Sequence, residues 1–336
     1  MKIAVVGAGT AGVMAAAYLK KKFDADVTLI YSTDVPTIGV GESVTPYVTR
    51  FLEELGLEEK DWMPATNSIY KYANCFEGWS NTNPEQFFAF TYNQPVEKVI
   101  ANQPITWNDI KGVTPSDIRS TDIWAALYSK GLAKEFSSEF NYLHKYMTNL
   151  KAPFVNKDYV GPPLSYAYHI DAEALGNYLK NTVCKNLGVK EKIGSIVRIN
   201  GAIDSVILDS GEEVVADYWV DATGFHRVLM NHLTEDYVYY DTPGNSCWVA
   251  PLKYTNDTQM KNYTQSIWNE CGWIFQIGLM NRQGCGLVFD DRYFSAQQAK
   301  ENFLQHTKGR LLGEPRLIQW EPKRLKTPAV NNTFAI

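Results

Sequence analysis

The 336-residue sequence has little that pairs or clusters among its disulfide- and metal-forming residues. Its five cysteines (Cys75, Cys184, Cys247, Cys271 and Cys285) are odd in number and widely spaced, and they include no Cys-x-x-Cys pair. The five histidines do not gather beside them. Neither a disulfide framework nor a metal site is expected, and a reducing cytoplasm suits this usage best. Positive charge is also in short supply: 32 Lys and Arg stand against 37 Asp and Glu, for a net charge of -5. Without a basic stripe to neutralise phosphates, nucleic acid is not an expected partner. No apolar run approaches the ~18 residues of a membrane span, so no membrane is expected either. The first residues already read as a strand, so no secretory leader is expected. Internal repeats and low-complexity tracts are absent.

Ordinary globular composition remains, 45% hydrophobic and 21% charged, with nine Trp and twenty Tyr. A chain of this length buries a sizeable core and has room for more than one packed unit. The aromatic content suits an aromatic-rich core or the stacking of planar ligands, and composition does not separate the two.

Local pattern is sharpest at the start. Lys2 to Val6 is a short apolar run of strand character, Val13 to Lys22 follows at helical spacing, and Val27 to Tyr31 reads as a second strand. Between strand and helix stands Gly7-Ala8-Gly9-Thr10-Ala11-Gly12. In such a loop the first glycine permits the tight turn and the second lets a pyrophosphate approach the backbone. The third allows close helix–strand packing, and the helix N-terminus offers free N–H groups to an anion. A lone Gly-x-Gly-x-x-Gly is a weak signal, but one framed by a βαβ unit is a strong one. The acidic residue that usually ends the second strand and binds a ribose is missing, since Tyr31 falls there, with Asp34 as a stand-in. The loop by itself does not separate NAD from FAD.

Further along, Phe51 to Lys60 suggests a helix, and residues 80–165 mix Asn, Pro and aromatics with few clean periods, as an insertion would. Asp171 is placed to cap a helix running to Lys180. Residues 192–220 alternate as strands through turns at Asn200-Gly201 and Ser210-Gly211. Ala216 to Gly224 then reads as a strand running into a glycine turn.

Five segments resemble the flavin-dependent halogenases of the tryptophan-halogenase family. Val35-Pro36-Thr37-Ile38-Gly39-Val40-Gly41-Glu42-Ser43 looks like that family's flavin-contacting strap. Tyr166-Ala167-Tyr168-His169-Ile170-Asp171-Ala172 is similar to its aromatic-His-x-Asp-Ala helix start. Asp221-Ala222-Thr223-Gly224-Phe225 matches the strand-end turn of this group of FAD enzymes. Gly272 to Leu279, followed by Arg282-x-Gly284-x-Gly286, resembles the Trp-x-Trp-x-Ile-Pro signature, with Phe275 for the second Trp and Gly278 for Pro. Finally, Tyr70-Lys71-x-x-x-x-Phe76-x-x-Trp79 reproduces the spacing around the family's catalytic lysine.

The resemblance implies an α/β flavoprotein with an FAD-binding Rossmann-like fold of the glutathione-reductase and p-hydroxybenzoate-hydroxylase type. Its flavin module would be assembled from residues 1–66, 166–230 and 300–336, with 67–165 and 231–299 facing the substrate. The implied FAD contacts are the loop residues Gly7 to Gly12, then Ser32, Val35, Ile38 and Gly39 to Ser43, then Ile196, Asp221 and Gly224. Phe90, Trp273 and Phe275 would line the passage between flavin and substrate. Reduced flavin, dioxygen and halide would yield hypohalous acid, which Lys71 would direct at a small electron-rich aromatic by hydrogen bonding or as a haloamine. No second dinucleotide loop is present for NAD(P)H, so a separate flavin reductase is the implied partner. The oligomeric state stays open, a homodimer among the options.

Relative to the family, the sequence ends before a Glu-Ser pair that assists the lysine and the halide, which reads as a C-terminally shortened chain. A flavin-dependent aromatic hydroxylase and an inactive flavin-binding fragment stay open as alternatives. Phe87-Phe88-Ala89-Phe90 stands where tryptophan-specific members carry a His–Phe pair, so the aromatic substrate is left unspecified.

Overall fold

The structure is a computed structural model and describes residues 1–34, 39–82, 84–90, 120–132, 147, 149–150, 152–153, 166–256 and 259–336. The expected βαβ unit forms where the pattern placed it: strand Lys2–Val6, helix Thr10–Phe23 and strand Asp26–Tyr31. The two strands pair in parallel, and Tyr218–Asp221 pairs in parallel on the other side of Lys2–Val6. Lys190–Ile193 extends one edge, and Thr333–Ala335 with Ala329–Val330 extends the other. In this six-stranded sheet, Lys2–Val6 lies between neighbours that reach it from opposite directions. The crevice at the carboxyl ends of the parallel strands is where such folds hold a dinucleotide.

One core layer lies on each face of this sheet. Val5, Val27 and Leu29 pack against Val13, Ala16 and Ala17 of the first helix, against Leu175 of the helix Ala172–Tyr178 and against Leu179 of the π-helical turn Leu179–Cys184 that continues it. On the other face Ala4, Ile30 and Trp219 pack against Val206 and Leu208 of a small antiparallel sheet. That sheet is the expected double hairpin. Its turns at Gly201 (φ +58°) and Gly211 (φ +83°) use the left-handed conformation that glycine adopts without penalty.

A second, seven-stranded sheet is almost wholly antiparallel. Its order runs Arg316–Gln319, Ser246–Leu252, Gln283–Phe289, Gly272–Gly278, Tyr263–Asn269, Ala73–Glu77 and Glu85–Ala89. Strand alternation sends Ile274, Cys285, Leu287 and Phe289 to one face, where Phe303 of helix Ala296–His306 covers them. A three-stranded sheet of Glu42–Ser43, Ala167–Ile170 and Ile69–Lys71 joins the two halves.

Two placements differ from the sequence reading. The helix expected over 51–60 is two helices, Pro46–Glu54 and Glu59–Ala65, broken where Gly56 takes a φ of +76°. The boundary expected at 300 falls inside helix Ala296–His306, which packs on the seven-stranded sheet; only residues 329–335 of that tail join the dinucleotide sheet. Among the described residues, no helix is long and apolar enough to cross a membrane.

Candidate active site

The glycine loop lies between the end of its own strand and the turn after Tyr218–Asp221. Gly7 donates to the Ile30 carbonyl at 2.8 Å, and Ala222 donates to that of Val6 at 2.8 Å. The three glycines do different things. A Cβ on Gly7 would lie 2.3 Å from the Ala222 carbonyl oxygen, and one on Gly12 would lie 1.9 Å from that of Gly7. Both are packing glycines. A Cβ on Gly9 would meet nothing within 4 Å.

Gly9 is also the N-cap of the first helix, which has neither a side-chain cap nor an acidic residue in its first turn. The first-turn N–H groups of Thr10, Ala11 and Gly12 lack intrahelical partners, as in any helix. An open cradle at an uncompensated helix N-terminus fits a pyrophosphate. Gly224 (φ +60°) likewise has open space beside it. The residues present therefore fit FAD, whose diphosphate would lie at Gly9 to Gly12.

The neighbouring residues are more committed. Asp221 accepts from the Thr223 N–H and hydroxyl on one oxygen (3.1 and 2.6 Å), and from the Leu229 and Met230 N–H groups on the other (2.9 and 2.8 Å). Its carboxylate is occupied in building the turn that carries Gly224. Tyr31 donates its hydroxyl to Glu191 at 2.6 Å, so a carboxylate does reach the end of the second strand, brought by the adjacent strand. Ser32 accepts from the Asp34 N–H, and Ile196 opens the outer strand of the small sheet. Val35 and Ile38 lie outside the described residues.

The described part of the strap, Gly39 to Ser43, is held by close approaches. Gly41 (φ +101°) lies against Ile277 and Leu279, and a Cβ on Gly284 would sit 1.7 Å from the Val40 carbonyl oxygen. This accounts for the first glycine of Arg282-x-Gly284-x-Gly286. The second, Gly286, gives the Phe275 ring its place, since a Cβ there would come within 2.5 Å of it. Arg282 itself binds Asp171 at 2.7 Å, and Asp171 caps its helix by accepting from Ala174. The cap contributes about 1 kcal/mol, and the half-buried ion pair ties that helix to the seven-stranded sheet.

Cross-strand register puts Trp273 and Phe275 on the face that also carries Thr264 and Ser266. Trp273 and Phe275 have ring centres 6.1 Å apart. Phe76 and Phe88 on the next strands form an aromatic group with Trp79, which follows the first of them, and the Trp79 indole donates to the Ser266 carbonyl at 2.8 Å.

Lys71 ends the strand Ile69–Lys71 and is 3% exposed. Its Nζ donates to the Ser43 hydroxyl at 2.6 Å and to the Val44 carbonyl at 3.3 Å, and it lies 4.9 Å from the centre of the Phe90 ring. Among the described residues no carboxylate pairs with it. Burial without a counter-charge lowers its pKa from 10.5 to about 8. Lys71, Ser43 and Phe90 are thus one cluster.

Sequence reasoning missed two partners of this cluster. Ser43 shares a 2.6 Å hydrogen bond with the Thr264 hydroxyl, and Thr264 lies 2.9 Å from His169 Nε2. His169 had been noted only as part of a helix-start motif, and nothing in the local sequence marks Thr264. Behind the lysine strand, Glu59 accepts hydroxyl hydrogen bonds from Tyr70, Tyr166 and Tyr168 at 2.7, 2.8 and 2.7 Å. Burial and this carboxylate push all three phenols up. We expect Glu59→Gln to cost about 1–2 kcal/mol in denaturant unfolding, because one of the three hydroxyls then meets an amide N–H. A loss below about 0.3 kcal/mol would mean the tyrosine cluster does not brace the lysine strand.

A Rossmann-like fold of the FAD-binding kind, with a buried lysine hydrogen-bonded to Ser43 in the segment that follows its second strand, defines the class. The chain belongs to the tryptophan halogenase family, which it matches over residues 2–336. It is 32% identical to tryptophan 6-halogenase SttH of Streptomyces toxytricini, over 89% of this chain and 59% of that protein. It is 29% identical to tryptophan 7-halogenase RebH of Lentzea aerocolonigenes, over 90% and 58%. The crystal structure of SttH superposes with a TM-score of 0.83 at 27% identity, covering 100% of this chain and 66% of that one. The fold is also that of a flavin-dependent halogenase from Xanthomonas campestris (TM-score 0.84, 24% identity, covering 100% and 65%). The chain spans about three fifths of the length of these curated relatives.

Proposed function

We propose that this chain is the flavin-binding and lysine-bearing part of an FAD-dependent halogenase acting on an electron-rich, indole-like aromatic. Bound reduced flavin, with dioxygen and halide, supplies hypohalous acid. The protein's share is then delivery. Ser43 and Val44 hold the Lys71 amine, Phe90 and the surrounding apolar packing exclude water from it, and Lys71 presents the electrophilic halogen to the aromatic. The observation that carries this reading is a lysine buried among neutral partners and hydrogen-bonded to the flavin strap. A pKa of about 8 keeps a usable share of neutral amine near neutral pH. An aromatic hydroxylase with the same flavin segments has no use for such a group.

The same reading includes a separate NAD(P)H-dependent reductase as the source of reduced flavin, and a cytoplasmic setting, which suits five buried free thiols. The test is to supply the full-length protein with FAD, dioxygen, an indole and NADPH, with and without a partner reductase and bromide or chloride. NADPH alone should leave the flavin oxidised. Reductase and halide together should give product carrying one halogen. A hydroxylated product formed without halide would overturn the proposal in favour of a monooxygenase.

A further inference from the structure

The lysine, the strap serine, Thr264 and His169 form one hydrogen-bonded line that ends at a backbone carbonyl. His169 is fully buried, with Nδ1 3.1 Å from the Gly278 carbonyl oxygen and Nε2 2.9 Å from Thr264 Oγ1. The line's direction follows from its far end. A carbonyl has no proton, so Nδ1 carries the imidazole hydrogen. Burial, reinforced by the Lys71 charge, lowers the His169 pKa to about 3, so the ring is neutral and Nε2 is an acceptor.

Thr264 then donates its single hydroxyl proton to Nε2 and accepts from Ser43 at 2.6 Å. Ser43's proton is spent on Thr264, leaving its oxygen only as an acceptor for Lys71 Nζ at 2.6 Å. Every proton in the line points away from the lysine.

We propose that Thr264 and His169 are positioning residues that keep the lone pair of the Lys71 amine free. In the neutral amine, the two N–H bonds are directed at Ser43 Oγ and Val44 O. The remaining tetrahedral position of the nitrogen is the lone pair. Were the line reversed, the Ser43 hydroxyl would donate to that lone pair and quench it as a nucleophile. With the line as built, the lone pair attacks the halogen of hypohalous acid. The N–halogen bond forms and the halogen–oxygen bond breaks, and the departing hydroxide leaves as water with one N–H proton.

The line is not a proton sink for the lysine. Burial holds the His169 pKa well below that of Lys71, so a proton stays on the lysine. The role is orientation.

This inference rests on the halogenase reading, so its test includes arms that need no halogenation. In the full-length protein, ring ¹⁵N NMR should find His169 in the Nδ1–H tautomer. Thr264→Val matches threonine in shape but frees the Ser43 proton, whereas Thr264→Ser keeps the line. The valine variant should lower the Lys71 titration midpoint, read by NMR of a ¹⁵N-labelled Nζ, because a donated hydrogen bond favours the neutral amine. Its halogenation kcat should fall about tenfold, with KM for the aromatic and flavin affinity within twofold of the parent. The serine variant should follow the parent in all of these. An Nε2–H tautomer, or valine and serine variants that behave alike, would overturn the proposal. If the tautomer and the Lys71 shift are as expected but the parent halogenates nothing, the positioning line stands and the halogenase reading falls.

Discussion

Lys71→Ala removes halogenated product, by about 10³-fold or more on the scale of a lost acid–base or nucleophilic group, while flavin binding and reoxidation continue. The expectation comes from a separation in the structure. The proposed cofactor contacts, the glycine cradle at Gly9 and the segment Gly39 to Ser43, would not use the lysine side chain, whose own contacts are Ser43, Val44 and Phe90. Lys71→Arg fails as well, because a guanidinium keeps its proton at any working pH and has no lone pair to offer.

Misfolding is the competing explanation, and pH separates it. Lys71's folded pKa of about 8 lies below its ordinary 10.5. Between those values the unfolded state binds more protons, so this group's contribution to stability is least below pH 8 and rises as pH climbs toward 10.5. Lys71→Met deletes the buried charge. It should therefore unfold at higher denaturant than the parent at pH 7, and the advantage should shrink above pH 8. Parental halogenation should rise with pH and level off above about 8. Product formation by Lys71→Ala at the parental rate, with bound flavin and thermal stability measured on the same samples, would reduce Lys71 to a structural residue.

What the sequence made legible is what chemistry makes local. The loop Gly7 to Gly12 could be placed because strand, glycines and helix follow one another within about twenty residues. The segment Val35 to Ser43 and the spacing around Lys71 are local patterns of the same kind. The failures are non-local or conformational. Phe51 to Lys60 has helical periodicity, and a single positive φ at Gly56 broke it. The line behind Lys71 joins Ser43 to Thr264 across 221 positions and Thr264 to His169 across 95. Its members are ordinary residue types whose bonds exist only after the bridging sheet and the seven-stranded sheet meet. Tyr31 is a mixed case. The second strand ends without a carboxylate of its own, and the one that meets Tyr31 there, Glu191, is brought in by a strand that pairs 160 positions later. Gly284 and Gly286 were quoted as pattern, and only the packing of Val40 and Phe275 supplies their reason.

The glycine loop gives the second large effect, and the structure divides it between two positions that sequence treats alike. At Gly12 an added methyl would overlap the Gly7 carbonyl oxygen at 1.9 Å, so Gly12→Ala must push the helix off the sheet. It should lower stability by about 1–3 kcal/mol, the range for overpacked sites, and weaken flavin binding with it. Gly9 has an ordinary φ of -64° at the N-cap and nothing within 4 Å of its absent Cβ. A side chain fits there without strain. Aspartate is a favoured N-cap residue and its charge suits the helix dipole, so the flavin-free Gly9→Asp protein should be as stable as the parent, or more so by a few tenths of a kcal/mol. The same carboxylate would occupy the anion cradle. FAD affinity should fall at least about 100-fold, since a negative charge replaces open space where the diphosphate meets the first-turn N–H groups. Thermal unfolding without flavin and flavin titration, run on both variants, distinguish the two roles. A Gly9→Asp protein that folds normally and binds FAD as the parent does would mean that this helix terminus does not hold the cofactor.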